Sequence, residues 1–119
     1  MTAGDDLTAA LRAERQAALT RVTALEREFA DIVAAASAAN ADDEHDPEGA
    51  TIAFERQHVA ALLEQARSRV AEADECLQRI AAGSYGICSG CGKPIPPARL
   101  GARPTATTCT TCAARGSRR

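Results

Sequence analysis

Apolar side chains recur in two long stretches of this chain, at alternating steps of about four and three residues. From Asp5 to about Ala39 they fall on Leu11, Ala18, Val22, Leu25, Phe29, Ile32 and Ala36. From Ile52 to Ile80 they run through Val59, Leu63, Ala66, Val70, Ala73 and Leu77, with Arg56 the one charged position on the stripe. This rhythm keeps a narrow apolar stripe on one face of an α-helix, the pattern of a coiled-coil seam. Neither stretch contains proline or an interior glycine, so helices are predicted near 7–39 and 51–82. Two ordinary amphipathic helices in a larger bundle would read the same way, but no third long helical stretch exists to complete a bundle. Each seam's best partner is therefore the other. The chain is expected to fold back as an antiparallel hairpin, with Val22, Leu25, Phe29 and Ile32 facing Ile52, Val59, Leu63, Ala66 and Val70.

The turn between the helices, near 41–50, carries Asp42, Asp43, Glu44, Asp46 and Glu48, an acidic tip. Part of this has a plain structural account. Asp46 followed by Pro47 suits an N-cap with proline at the first helical position, and acids near a helix start complement its dipole. The remaining acids fit either a solvated turn or a functional anionic tip. His45 in the same turn reads as an exposed loop residue ahead of a metal ligand beside the tip acids, His58 as a helix-surface residue beside the seam, and Cys76 as a small buried hydrophobe ahead of a reactive thiol or an intermolecular disulfide.

After the second helix the pattern changes. Gly83 suits the position just past a helix end, and Ser84-Tyr85-Gly86-Ile87 leads directly into Cys88-Ser-Gly-Cys91, followed by Cys109-Thr-Thr-Cys112. Two C-x-x-C pairs at this separation match a structural zinc site, because the two thiolates of each tight turn can face one cation. Gly92 permits the backbone turn that aims amide groups at sulfur. Two disulfides or a redox-active C-x-x-C pair are the competing readings, and no strand-helix pattern of a thioredoxin-like fold supports the latter. With four thiolates and no histidine nearby, the expectation is one structural zinc per chain, held by Cys88, Cys91, Cys109 and Cys112, with no open position for chemistry. Pro94, Pro96, Pro97 and Pro104 are expected to stiffen the loop between the pairs, and the residues from Ala113 onward to add a helical turn.

Composition supports this mainly-α architecture: among 119 residues there are one Tyr, two Phe and no Trp, which favours helix-on-helix packing over a mixed core. The expected organisation is a coiled-coil hairpin over 1–82 and a four-cysteine zinc finger with a basic tail over 83–119. Charge divides at the same boundary. Residues 1–82 hold eight arginines against sixteen acids, and residues 83–119 hold Lys93, Arg99, Arg103, Arg115, Arg118 and Arg119 against none. The first residues lack a basic and then apolar leader pattern, and the aliphatic runs, five residues at most as in Ile32 to Ala36, are too short to span a membrane. A cytoplasmic protein is expected, where thiolates remain available to zinc.

One segment carries a more specific signal: Leu77-x-x-Ile80-x-x-Gly83-x-Tyr85-Gly86-x-Cys88-x-x-Cys91-Gly92, then Ile95, then Arg99-Leu100-x-Ala102-Arg103-Pro104 and the second C-x-x-C. It resembles the DksA/TraR zinc-finger family over 77–112, and the preceding hairpin agrees with that family in architecture. The resemblance implies a bacterial transcription regulator that binds RNA polymerase directly, without requiring DNA. It further implies that the hairpin enters the polymerase secondary channel and brings the acidic tip near the catalytic magnesium. The family's D-x-x-D-x-A tip motif is not reproduced. Starting from Asp46, the later places hold Gly49 and Thr51, and counting back from the cysteines puts His45, Glu48 and Ala50 there. Family members also respond to guanosine tetraphosphate; here Glu72, Asp74 and Glu75 lie beside Arg67, Arg69 and Arg79, a mixed surface that defines no phosphate pocket.

A different class of function is a nucleic-acid-binding zinc module that uses the basic C-terminal end, whose cations would neutralise phosphates. The bland reading of that end is a solubilising tail. Sequence-specific DNA recognition is disfavoured, since Tyr85 is the module's one aromatic residue and no long helix follows Cys112. An enzyme is not expected: the chain has no Gly-rich phosphate loop, no nucleophile and base at local spacing, and no open metal site.

Overall fold

A computed structural model describes residues 3–39 and 47–116, with side-chain surroundings for 5–38 and 49–116. The expected tip residues Asp42, Asp43, Glu44 and Asp46, together with His45, lie outside the described residues. For Glu48 only its place in a helix is described.

Two long helices dominate, α1 over Ala3–Ala39 and α2 over Pro47–Ala82. Both start earlier than the seams alone predicted. In α1 the first turn carries Asp5 and Asp6, whose charge complements the exposed amide groups of a helix start. In α2 the first residue is Pro47, at the one place where a missing N–H and a fixed φ favour a helix. The end of α2 is set by Gly83 at φ 79°: its amide bonds the Ile80 carbonyl at 3.2 Å and the Ser84 amide bonds the Arg79 carbonyl at 2.9 Å. This is a Schellman cap, with both orphan carbonyls satisfied. Two short helices follow, α3 over Pro97–Ala102 and α4 over Thr110–Gly116. The stiff loop expected between the cysteine pairs thus contains a helix, because Pro97 occupies the first helical position after an extended Pro96. Among the described residues no helix is long and apolar enough to cross a membrane.

The chain packs as two compact units. One is Arg15–Ala71, and the other combines the start of α1, up to Glu14, with Glu72 and the residues after it. In the first, the two helices pair through Leu25, Val59, Leu63 and Ala66, all buried, with Val22, Phe29, Ile32 and Leu62 packed against them. Most of the expected facing residues are in this cluster. Leu62, off the expected seam, also joins it. The helices run antiparallel, as the ion pair between Glu26 and Arg67 at 3.1 Å shows alongside the pairing of Phe29 with Ala60 and Leu63 around one groove. Both partners of that ion pair are more than half exposed, so it marks register more than it stabilises. Arg56 and His58 are exposed.

In the second unit Leu11, Ala73 and Cys76 are buried with Cys88, Ile95 and Ala106. Cys76, 1 % exposed, behaves as the small hydrophobe expected, and its burial pushes the thiol upward from the ordinary range, with Glu75 adding to the shift. Pro104 anchors the module here: its carbonyl accepts the Tyr85 hydroxyl at 2.6 Å, and the Cys76 thiol lies 3.9 Å from the same oxygen.

Candidate metal centre

The first cysteine pair sits on a tight reversal of the backbone. Ile87 and Pro94 face each other in an isolated antiparallel bridge, the Cys88 amide donates to the Lys93 carbonyl at 2.8 Å, and Ile95 returns a bond to Gly86 at 2.7 Å. Closing this turn needs two left-handed residues, supplied by Gly86 at φ 85° and Gly92 at φ 75°. The Gly92 amide bonds back to the Cys88 carbonyl at 2.9 Å, which curls Cys88 to Cys91 so that both sulfurs lie on one side. The second pair lies at the start of α4, where the Ala113 amide donates to the Cys109 carbonyl at 2.9 Å. A bond from the Ser89 amide to the Thr107 carbonyl at 2.9 Å ties the two knuckles together.

The result brings Cys88, Cys91, Cys109 and Cys112 together, with all four sulfurs within 4.8 Å of one another. All five cysteines are free thiols, so neither disulfides nor a bridged C-x-x-C pair forms. The geometry fits a metal instead. Four thiolates around zinc at about 2.3 Å stand roughly 3.8 Å apart at the corners of a tetrahedron, and Cys91 Sγ and Cys109 Sγ are 3.9 Å apart. Four sulfur ligands complete a tetrahedral ion without water, which makes the centre a scaffold. Zinc, when bound, supplies a fixed crosslink between the two knuckles.

Backbone amides prepare the sulfurs for negative charge. Cys88 Sγ, on a residue only 2 % exposed, accepts the Cys109 amide at 3.2 Å and the Gly90 amide at 3.3 Å, and the Cys112 amide reaches Cys109 Sγ at 3.5 Å. These donors, with Cys109 first, hold the Cys88 thiol down at about 6. Cys109 is lowered too, chiefly by the Cys112 amide. Cys112 is pushed up to about 12, because it shares its proton with Cys109 and Cys88. The cluster thus concentrates negative charge on neighbouring sulfurs, and a divalent cation relieves that crowding.

Sequence reading placed these four ligands but missed the groups behind them. Arg99 on α3 donates its Nε–H to the Thr108 carbonyl at 2.8 Å, and Tyr85 holds Pro104. Arg79, in a pair with Glu75 at 3.8 Å, reaches the Ile87 carbonyl at 3.4 Å, joining the end of α2 to the first knuckle. Tyr85, Arg99 and Pro104 all stood in the motif, but nothing in their spacing told which carbonyl each would meet.

Comparison with known proteins agrees with this geometry. Residues 83–116 match the model of the prokaryotic dksA/traR C4-type zinc finger. The chain is 42% identical over 69 residues to the uncharacterized protein YteA of Bacillus subtilis, covering 58% of this chain and 29% of that protein. It is 51% identical over 41 residues to the RNA polymerase-binding transcription factor DksA of Caulobacter vibrioides, covering 34% of this chain and 29% of that protein. The matched segments thus span less than a third of these curated relatives. The fold is similar over nearly the whole chain to the transcription factor DksA2 of Pseudomonas aeruginosa, with a TM-score of 0.77 and 30% identity, covering 97% of this chain and 83% of that one. A four-sulfur knuckle joined to paired helices, with likeness to a solved member over both, places this chain in the DksA/TraR zinc-finger family.

Proposed function

We propose that the protein is a cytoplasmic, non-enzymatic transcription regulator that binds bacterial RNA polymerase directly. In this reading the helical hairpin enters the secondary channel, zinc is structural, and Asp42, Asp43, Glu44, Asp46 and Glu48 modulate initiation. The observation that carries the reading is the combination of the family's zinc centre with a paired-helix scaffold similar to DksA2 over 97% of the chain. The physical argument is a division of labour. Paired helices offer the area that sets affinity, while a cluster of like charges in the turn between them acts through local electrostatics on a magnesium ion, an incoming nucleotide or a mobile catalytic loop. The closed four-sulfur set is consistent with a site that holds structure and does no chemistry.

The test joins capture by core RNA polymerase, free of DNA, to a defined in vitro transcription assay. Wild-type protein is expected to bind and to change transcript yield. Asp46→Asn with Glu48→Gln is expected to leave binding within a few-fold and to alter the transcriptional effect. Helix content is measured in the same variant, since losing an N-cap costs about 0.5 to 2 kcal/mol. Failure of the wild type both to bind and to alter transcription at low salt would remove this reading. Salt-sensitive binding to nucleic acid alone would turn attention to the basic C-terminal end.

A further inference from the structure

We propose that Arg99 is a positioning residue of the zinc centre, acting on Cys88 through the single peptide that joins Thr108 to Cys109. The two hydrogen bonds at the ends of that peptide carry the inference. At one end the Arg99 Nε–H donates to the Thr108 carbonyl oxygen at 2.8 Å. At the other, the Cys109 N–H donates to Cys88 Sγ at 3.2 Å. The peptide unit is planar, so fixing its oxygen fixes the direction of its N–H. Guanidinium, peptide and sulfur therefore form one relay across the gap between the two knuckles.

Two effects follow. The first is orientation: α3 holds Arg99 half-buried, and the peptide it grips belongs to Cys109, so the same contact sets both the donor to Cys88 and the backbone of a second ligand. The second is polarisation. A cationic donor on the carbonyl draws electron density through the amide and strengthens its N–H as a donor, and chained hydrogen bonds reinforce one another by roughly 10–30% per bond. Cys88 is the target on which this matters most, because it is the most buried of the four ligands and also receives the Gly90 amide at 3.3 Å. Density withdrawn from its sulfur makes the zinc-bound thiolate a weaker nucleophile and slows its attack on electrophiles.

The test uses two variants that separate the N–H from the charge. Arg99→Met keeps a long chain and removes both. Arg99→Gln keeps an N–H donor the same number of bonds from the backbone as Nε, without the charge. The full chain is loaded with NMR-active cadmium in place of zinc, and scalar coupling between the metal and the Cys109 amide proton is measured, together with the rate at which Cys88 in the zinc protein is alkylated. In the wild type the coupling is expected. In Arg99→Met it should shrink or vanish, with Cys88 alkylated several-fold faster, and Arg99→Gln should recover part of both. Three results would overturn the proposal: no Cys109 coupling in the wild type, a coupling and alkylation rate unchanged in Arg99→Met, or Arg99→Gln as perturbed as Arg99→Met. The first needs no variant, so it can overturn the proposal even where a substitution prevents folding.

Discussion

Leu63 is the most informative single position for testing the paired-helix core. It is 8 % exposed within the cluster of Leu25, Val59 and Ala66, so Leu63→Ala removes three carbons from apolar contact. At about 0.8 kcal/mol per methylene, the transfer loss is roughly 2.4 kcal/mol. Leu→Ala changes in enclosed cores reach about 5 kcal/mol because an unfilled cavity adds to that loss. Here the cavity contribution is small. Leu63 also lines an open groove of about 530 Å³ with Glu26, Phe29, Ala60, Glu64 and Arg67, and water entering the groove can occupy the vacated volume. The expected cost is therefore about 2 to 2.5 kcal/mol, near the low end of the range for such changes. Urea unfolding followed by helical circular dichroism measures it. Phe54→Ala is the internal control: the ring is larger but 72 % exposed, and removing it should stay within about 0.5 kcal/mol of the wild type. A Leu63→Ala variant as stable as the wild type, or a Phe54→Ala variant as destabilised as Leu63→Ala, would refute the assignment of the seam.

Two further outcomes follow from the unit that carries the cysteines. Freshly reduced protein should hold one zinc per chain, and a strong chelator should remove it with loss of ordered structure around the four cysteines; substoichiometric zinc, or full zinc in a Cys109→Ala and Cys112→Ala double variant, would count against the ligand set. The second concerns Tyr85, whose burial, with the nearby Cys76 thiol, raises its phenol above the usual 10.0. The folded state favours the protonated ring, so its contribution is fully present below about pH 10 and is lost as pH rises from there through the folded pKa. Because Tyr85 is the one tyrosine in a chain without tryptophan, tyrosinate absorbance reports it alone. Its midpoint in the native protein should lie above that in urea, and an equal or lower native midpoint would contradict the contact with Pro104.

How far the structure could be read from the sequence depended on the range of the forces involved. Leu25, Val59, Leu63 and Ala66 were legible because helix pairing repeats, so the burial of each is announced by neighbours three or four residues away. Gly83 was legible because a helix end needs a left-handed residue, a local demand. At the start of the second unit the rhythm pointed to Leu77, yet Leu77 is half-buried and Cys76 takes the 1 % exposed place. The surface facing Cys76 includes the Pro104 carbonyl from the zinc module as well as helical neighbours, and a small side chain suits that close approach. Helical periodicity has no knowledge of a loop arriving from 28 residues later. Helix α3 was missed for a related reason: four prolines read as a rigid loop, although one of them stands where proline starts a helix.

The zinc module also shows why the cysteines were its most legible part. Between 83 and 116 the buried residues are Cys88, Ile95 and Ala106, and neither α3 nor α4 buries a side chain. So little apolar burial cannot offset the backbone entropy of ordering the segment, at about 1–2 kcal/mol per residue. Structural zinc, worth roughly 10–16 kcal/mol in comparable small modules, is a large contributor to that ordering, beside burial against Leu11, Ala73 and Cys76 of the same unit. The hydrogen bonds in the segment then make sense as supports that hold the four sulfurs and their backbone in place. Arg99 grips the peptide that faces Cys88, Tyr85 grips Pro104, and the amides of Gly90, Cys109 and Cys112 face sulfur. A sequence in which metal replaces a core leaves its strongest trace at the ligands and only a faint one at the residues that orient them.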